Sequence, residues 1–366
     1  MKAECLIEKL KNTVSQIERV SGKNLTLPIL GSLFIETGDS CLIVRATNLN
    51  IGAEISIPAK ILESGSVAVP ANLFAQICSG LQGDTPVTLT VSNENLVIQT
   101  KTAKMTIKSM SADDFPTIPH VQSSDIFEIP AEQFILGVKA VAYAAATSDI
   151  KPEISSIYIY PDQENLVFVA TDAFRLAEKK IKVKNLVAFP EILLPVKNIP
   201  EIIRILDTVS GNVQVAVAEN QISFSNEMIY LTSRLTGGSY PNYRQIIPKE
   251  SKTQIVVLKS DIQNILRSLT VFSDKFNQID LVVNPAEKIC TVTSRNNDTG
   301  EGIITIEAAL SGSPLETRMN NRYINDALQS ITTDSVTFSF TEPNKPMIIQ
   351  GVGDTSFLYL VMPMNR

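Results

Sequence analysis

Leu6, Leu10, Val14 and Ile17 recur at three- and four-residue steps with charged and amide residues between them. That spacing predicts an amphipathic helix over 4–20. The same rhythm returns in Phe134, Val138, Val141 and Ala145, and again in Ile262, Ile265, Leu266 and Leu269. The third group is introduced by Ser260-Asp261-Ile262-Gln263, a capping-box pattern in which the serine caps the third amide and the glutamine reaches back. Second helices are expected over 71–81, 199–209 and 321–331. Asn198 followed by Pro200 and Glu201 reads as a helix start, because proline lacks only an N–H that would be unpaired there.

Elsewhere the period is two. Val87 to Val91 and Val336 to Phe340 alternate apolar and polar residues, and Val213 to Val217 sets a valine at every second position, which predicts strands that bury one face. Turn signals follow them at Asn93-Glu94-Asn95, Ala218-Glu219-Asn220 and Glu342-Pro343-Asn344.

These elements belong to a longer repetition. A strand, Cys41 to Val44, runs into Arg45-Ala46-Thr47-Asn48 and is followed by another, Glu54 to Ile57. The text returns as Val167 to Asp172 with Leu176 to Val183, and more faintly as Cys290 to Ser294 with Gly302 to Ala308. Ala46 and Ala170 are 124 positions apart, Ala170 and Thr293 123. A period this long makes each copy a whole domain, not a solenoid turn. The expected architecture is α+β: three tandem repeats over 1–121, 125–248 and 252–366, each with antiparallel sheet outside and two helices on the opposite side. Linkers are expected near 120–125 and 248–253.

A chain of 366 residues with 44% hydrophobic content can build three such cores. The formal charge of −6 argues against indiscriminate adhesion to nucleic acid or to an anionic membrane. Cys5, Cys41, Cys78 and Cys290 form neither a disulfide framework nor a zinc motif and read as buried thiols. With no apolar leader and no run of about 18 apolar residues, a reducing cytoplasm is the expected compartment.

Catalytic signatures are missing. Neither a phosphate-binding loop, H-E-x-x-H nor G-x-S-x-G occurs, and no cofactor or metal is expected. The lone histidine, His120, sits in the first linker and reads as a solvent-exposed bystander. Asp172 and Arg175 could form an acid/base pair. They fit better as a turn residue and its neighbour, because the first repeat carries Asn48 in the same slot. Three copies of a scaffold without three copies of a catalytic set suggest a binding or mechanical device.

Several segments together resemble the β subunit of bacterial DNA polymerase III, the replicative sliding clamp. They are Thr26-Leu27-Pro28-Ile29-Leu30-Gly31, Ala46 to Leu49, Val67 to Ala71, Ala170 to Ala177, Tyr240-Pro241-Asn242-Tyr243-Arg244 and Val361-Met362-Pro363-Met364. The resemblance spans the chain and implies a non-catalytic processivity factor. It implies a head-to-tail homodimer, a ring of six domains around duplex DNA with sheets at the rim and twelve helices lining the hole. The alternative is a β-rich scaffold that binds proteins without encircling DNA.

Binding that holds DNA without gripping it needs few and exchangeable phosphate contacts. The six helix segments, taken broadly, carry eight basic and eight acidic residues, so the net negative charge lies outside them. The DNA-facing candidates are Lys9, Lys11, Lys139, Lys197, Arg204, Arg267 and Arg322 on helices, with Lys23 and Lys151 on loops. The segment 71–81 has no charge where the family often has basic residues, leaving Asn72 as a polar contact.

The resemblance further implies a cleft between the second and third repeats. There the replicative polymerase, the clamp loader, translesion polymerases and mismatch-repair proteins would insert short hydrophobic motifs. Carried over by motif, its walls are Ile154, Thr171, Ala173, Phe174, Arg175 and Leu176 on one part of the chain. Pro241, Gln245 and Ile246 form a second part, and Asn320, Tyr323, Leu360, Val361, Met362, Pro363 and Met364 a third. Flexible methionines suit varied apolar anchors. Ala173-Phe174 stands where the family commonly has Gly-His, and Asn365 where it has Arg, which points to a greasier wall and an altered peptide preference. For the subunit interface, the first repeat is expected to offer an edge strand at Met105 and Ile107, and the third the region of Val271 and Phe272.

Overall fold

The computed structural model describes residues 1–22, 27–83, 85–123 and 125–364. One element order runs through it three times: strand, helix, a group of strands, helix, then three strands. In the first repeat, strand Lys2–Leu6 leads into α1 (Ile7–Ile17), and α2 (Ala71–Gly80) is followed by Pro86–Ser92, Asn95–Gln99 and Lys104–Lys108. The second repeat sets α3 (Ala131–Val141) and α4 (Ile199–Leu206) at the same places, and the third sets α5 (Lys259–Leu269) and α6 (Asn321–Ser330). The period-two segments are strands, Pro86–Ser92, Asn212–Ala218 and Ser335–Phe340. Among the described residues every ladder between strands is antiparallel, the pattern of an α+β fold.

The chain forms two compact units that divide the second repeat between them. The first comprises 1–135, 184–190 and 197–235. Its strands form one 12-stranded sheet, in which Ile51–Glu63 of the first repeat pairs with Ile229–Arg234 of the second. The second unit comprises 136–183, 191–196 and 236–366. It holds a nine-stranded sheet, in which Arg175–Lys182 pairs with Phe357–Val361, and a four-stranded sheet of third-repeat strands. Within each unit, backbone hydrogen bonds thus join neighbouring repeats, leaving no exposed sheet edge at the seam.

Helical periodicity located the helices but missed some ends. Leu6 is not helical: it closes strand Lys2–Leu6, half exposed, because that strand pairs on both sides, with Ile51–Glu63 and with Pro86–Ser92. Ile7 takes the inward position, with Leu10, Val14 and Ile17. The capping box does not form. Helix α5 starts directly out of strand Thr253–Leu258, with the Lys259 amide donating to the Asp334 carbonyl at 2.8 Å. Ser260 is therefore already inside the helix, and its hydroxyl donates to Asp261 Oδ1 at 3.0 Å. Asn198 precedes α4 but caps nothing; its side-chain amide donates to the Ser233 hydroxyl at 2.9 Å. Residues 18–20, 142–144 and 270–272, expected as last helical turns, are tighter 3-10 turns.

Three cysteines are buried, and burial pushes the thiols of Cys5 and Cys78 up to about 12 and that of Cys290 to about 11. Cys41 is half-buried. No helix among the described residues is long and apolar enough to cross a membrane.

Candidate functional site

The second unit gathers the three chain segments of the expected cleft. Strand Asn165–Thr171 ends in a turn that the side chains of Thr171 and Asp172 hold shut. The Thr171 hydroxyl donates to the Arg175 carbonyl at 2.6 Å and accepts from the Ala173 amide at 3.1 Å. Asp172 Oδ1 accepts from the amides of Phe174 and Arg175 at 2.9 and 3.0 Å. This turn puts Ala173 at φ +76° and leaves Phe174 63% exposed. A side-chain oxygen two residues back is what makes such a turn cheap.

Arg175 leaves the turn as the first residue of strand Arg175–Lys182, opposite Val361, while Leu176 faces Leu360. Pairing continues past the strand's end, because the Met362 amide donates to the Phe174 carbonyl at 2.8 Å. The Met364 amide then donates to the Arg318 carbonyl at 2.8 Å, so the terminal segment is tied on both sides. Below it, Val167, Val169, Leu176, Leu193 and Leu360 form a buried cluster with Tyr160, Tyr240 and Tyr243, against which Met362 and Ile247 pack. Tyr243 donates to the largely buried Glu178 and shares a 2.8 Å hydrogen bond with Tyr160. Burial first, and then the Glu178 partner, raise its phenol above the ordinary range. The 3-10 turn Tyr243–Ile246 presents Ile246 and Gln245 to solvent, with Pro241 exposed before it.

Arg175 organises the polar side. Its guanidinium donates to Asp172 Oδ2 at 2.9 Å and to Asp326 Oδ2 at 2.7 Å, and lies 4.3 Å over the Tyr323 ring. An arginine held by two carboxylates cannot serve as a base, and the Asp172 carboxylate is spent on turn amides. The acid/base reading of the pair therefore fails on geometry. Among the described residues, no cluster of His, Cys, Asp and Glu could hold a metal ion.

Some expected wall residues do other work. Asn320 caps α6, accepting from the Tyr323 amide at 3.1 Å and donating to the Phe276 carbonyl at 3.0 Å. Val361 is fully buried and serves through its backbone, because both faces of strand Phe357–Val361 are covered. Leu176 and Leu360 are floor, not wall. Ile154 is half-buried in a loop, its carbonyl accepting from the Ala146 amide.

The expected DNA-facing cations are available. Lys9, Lys139, Lys151, Lys197, Arg267 and Arg322 are exposed, Lys11 is half-buried, and none of them makes an ion pair among the described residues. Arg204 is half-buried beside Glu201 at 3.4 Å. Asn72 is exposed on α2. Lys23 and Asn365 lie outside the described residues. Over the observed helices alone there are seven basic and five acidic side chains, because Glu4, Glu18 and Asp207 fall outside them together with Arg19 and Lys197, while Lys259 comes in. The sequence count of eight against eight is thus corrected towards positive. In the first unit, Lys9 and Arg204 flank one open groove of about 650 Å³ together with Asn12, Gln16 and Thr208.

Each unit also has a terminal strand that is paired on one side only. Lys104–Lys108 is the terminal strand of the 12-stranded sheet. Its Ile107 is buried and Met105 half-buried, so these side chains fill the sheet's own core and the edge offers backbone, Lys104, Thr106 and Lys108 instead. Gly300–Thr305 ends the four-stranded sheet. Near it Val271 is 69% exposed, whereas Phe272 is half-buried against the space left by Gly302. Phe276 and Ile303 are large exposed apolar residues that the sequence reading missed. Strand alternation around Ile303, polar-apolar beside two glycines, gave too weak a signal to find them.

His120 is not idle. Its ring stacks on Tyr230 at 4.1 Å, its Nε2 lies 3.3 Å from Glu54, and the neighbouring Val121 amide donates to the Tyr230 hydroxyl at 2.7 Å.

Comparison with known proteins follows this arrangement from end to end. Residues 1–119, 128–242 and 244–365 match the N-terminal, central and C-terminal domains of the family described as DNA polymerase III beta subunit. A beta sliding clamp of Synechococcus elongatus is 27% identical over 100% of this chain and 99% of its own length. One of Bacillus subtilis is 27% identical over 98% of each. Among solved structures, a DNA polymerase sliding clamp from Bacillus subtilis superposes with a TM-score of 0.95 at 24% identity, covering 100% of this chain and 99% of its own. A DNA polymerase III beta subunit from Thermotoga maritima gives a TM-score of 0.93 at 24% identity, with the same coverage.

Proposed function

The chain belongs to the DNA polymerase III beta subunit family, and on that premise we propose how its parts share the work of a polymerase processivity factor. The chain is non-catalytic. Two copies join head to tail, the Lys104–Lys108 edge of one meeting the Gly300–Thr305 edge of the other. The paired edges remove a backbone liability, and Val271, Phe276 and Ile303 supply apolar contact. Lysines 104 and 108 on one edge complement Glu301 and Glu307 near the other.

The closed ring encircles duplex DNA in the cytoplasm. Unpaired helix cations, spread thinly among polar side chains, neutralise phosphates a few at a time and let the ring slide. The cleft between the terminal segment and the turn at Phe174 takes up short hydrophobic motifs of the replicative polymerase, the clamp loader, translesion polymerases and mismatch-repair proteins. An extended peptide lying beside Met362 would set apolar side chains against Phe174, Ile246 and Met362, with Arg175 holding the Tyr323 side in place.

The observation that carries this reading is the combination of three family domains in order with a non-catalytic, fully tied Arg175 and a set of free helix cations. Primer extension by the cognate polymerase is the functional test. Addition of the chain with its loader is expected to lengthen the products made in a single binding event; unchanged product length would refute the proposal.

A further inference from the structure

The first repeat builds the same turn as the second. The Thr47 hydroxyl donates to the Ile51 carbonyl at 2.9 Å and accepts from the Leu49 amide at 3.0 Å. Asn48 Oδ1 accepts from the amides of Asn50 and Ile51, each at 3.0 Å. Leu49 stands at φ +73° where Ala173 stands at φ +76°. The strand that follows, Ile51–Glu63, pairs with Ile229–Arg234, as Arg175–Lys182 pairs with Phe357–Val361. Phe115-Pro116 lies 125 positions before Tyr240-Pro241, so a proline segment supplies the facing wall in both places.

What lies between these parts, inside the first unit, is a cavity of about 250 Å³ lined by Leu49, Ile51, Pro116, Ile118, Thr232 and Arg234. Its size suits one or two side chains better than a cofactor, whose pockets start at about 300 Å³. Two features single it out. Leu49 is a bulky residue in the left-handed region and yet 42% exposed, a conformation that costs energy and buries little. Arg234 is exposed, fixed beside the turn by its amide donating to the Asn50 carbonyl at 2.8 Å, and its guanidinium has no ion partner among the described residues. In the second-repeat cleft the place of Arg234 is taken by Met362, whose amide donates to the Phe174 carbonyl in the same way, and the cation there, Arg175, is held by Asp172 and Asp326.

We propose that this cleft of the first repeat is a second docking site, for a short extended segment of a partner protein in which an aliphatic side chain is followed by a carboxylate. The aliphatic group enters between Leu49 and Ile51, and the carboxylate meets the free guanidinium of Arg234. The two clefts then select different peptides, one purely hydrophobic and the other hydrophobic and acidic. The kind of ligand is taken from the reading of the other cleft as a peptide site; the location and the charge preference are not.

The test is methyl NMR of the full chain, labelled at isoleucine and leucine and titrated with acetyl-leucyl-aspartyl amide, with acetyl-leucyl-lysyl amide as the comparison. Saturable shifts at Leu49, Ile51 and Ile118 are expected with the acidic peptide. They should weaken roughly fivefold or more in Arg234→Glu, weaken less in Arg234→Gln, and persist in Phe174→Asp, which blocks the other cleft. The methyl dispersion of each variant reports its fold. Shifts confined to Leu176, Ile246 and Leu360, equal binding of the lysyl peptide, indifference to Arg234→Glu, or no saturable shift would each overturn the proposal. Because the methyl groups of the two clefts are read separately, failure here is distinct from failure of the Phe174 cleft.

Discussion

Nη1 of Arg175 lies 2.7 Å from Oδ2 of Asp326, a contact that joins the turn of the second repeat to α6 of the third. The same guanidinium holds Asp172 and covers Tyr323, so one side chain fixes three elements around the cleft. Replacing Arg175 by alanine removes the guanidinium from both carboxylates and leaves Asp172 only its turn amides. A loss of about 2 kcal/mol in folding free energy is expected, read from the urea midpoint of the transition. Arg175→Lys keeps a charge without the planar fork and should recover only part of it.

Phe174 pays almost nothing to the fold because its ring is in solvent. Phe174→Ala should therefore change stability by less than about 0.5 kcal/mol. The same change should weaken a hydrophobic partner peptide by ~1 kcal/mol or more, measured by calorimetry, since an exposed aromatic anchor acts only when covered.

The free cations on the helices contribute through phosphate contacts alone. Single substitutions Lys9→Ala, Lys139→Ala and Arg267→Ala should each leave the melting temperature in place. Each should lower DNA affinity uniformly across sequences and reduce the slope of log K against log salt by at most about 1.

At the expected interface, Val271→Asp and Ile303→Asp place a charge where an apolar partner is required. Both positions are exposed, so each protomer should stay folded while sedimentation shifts from dimer to monomer. A dimer that survives the double change would remove this edge from the interface.

Thiol chemistry separates the cysteines. Cys5, Cys78 and Cys290 are buried with raised thiols, and Cys41 is the accessible one. Alkylation of the native protein near pH 8 should label Cys41 first, read by mass spectrometry, with the other three reacting only on unfolding.

Much of this was legible from spacing alone. The 3.6 period of Leu10, Val14 and Ile17 located α1, and alternation located Pro86–Ser92, Asn212–Ala218 and Ser335–Phe340. Asp172 reads as a turn residue because Asn48 occupies its slot, and both side chains accept the same pair of amides. The third copy escaped that logic. Its strand Ile289–Asn296 runs on through the corresponding position, where Arg295 pairs with Glu301 at 2.6 Å. Long-range pairing was invisible as well: nothing local in Arg175–Lys182 announces Phe357–Val361 as its neighbour, and nothing in Leu6 distinguishes a strand's last residue from a helix's first. The cleft was named through a resemblance of motifs. The division of its residues into floor, cap and wall required the packing.

A chain that closes around DNA is held by topology, so it leaves when the DNA gains an end. A nicked circular DNA loaded with the protein by a compatible clamp loader is isolated and then cut once. Protein is expected to remain on the intact circle and to be lost from the linear form, at low and moderate salt alike. Equal retention on circle and linear DNA, after loading has been demonstrated, would contradict it.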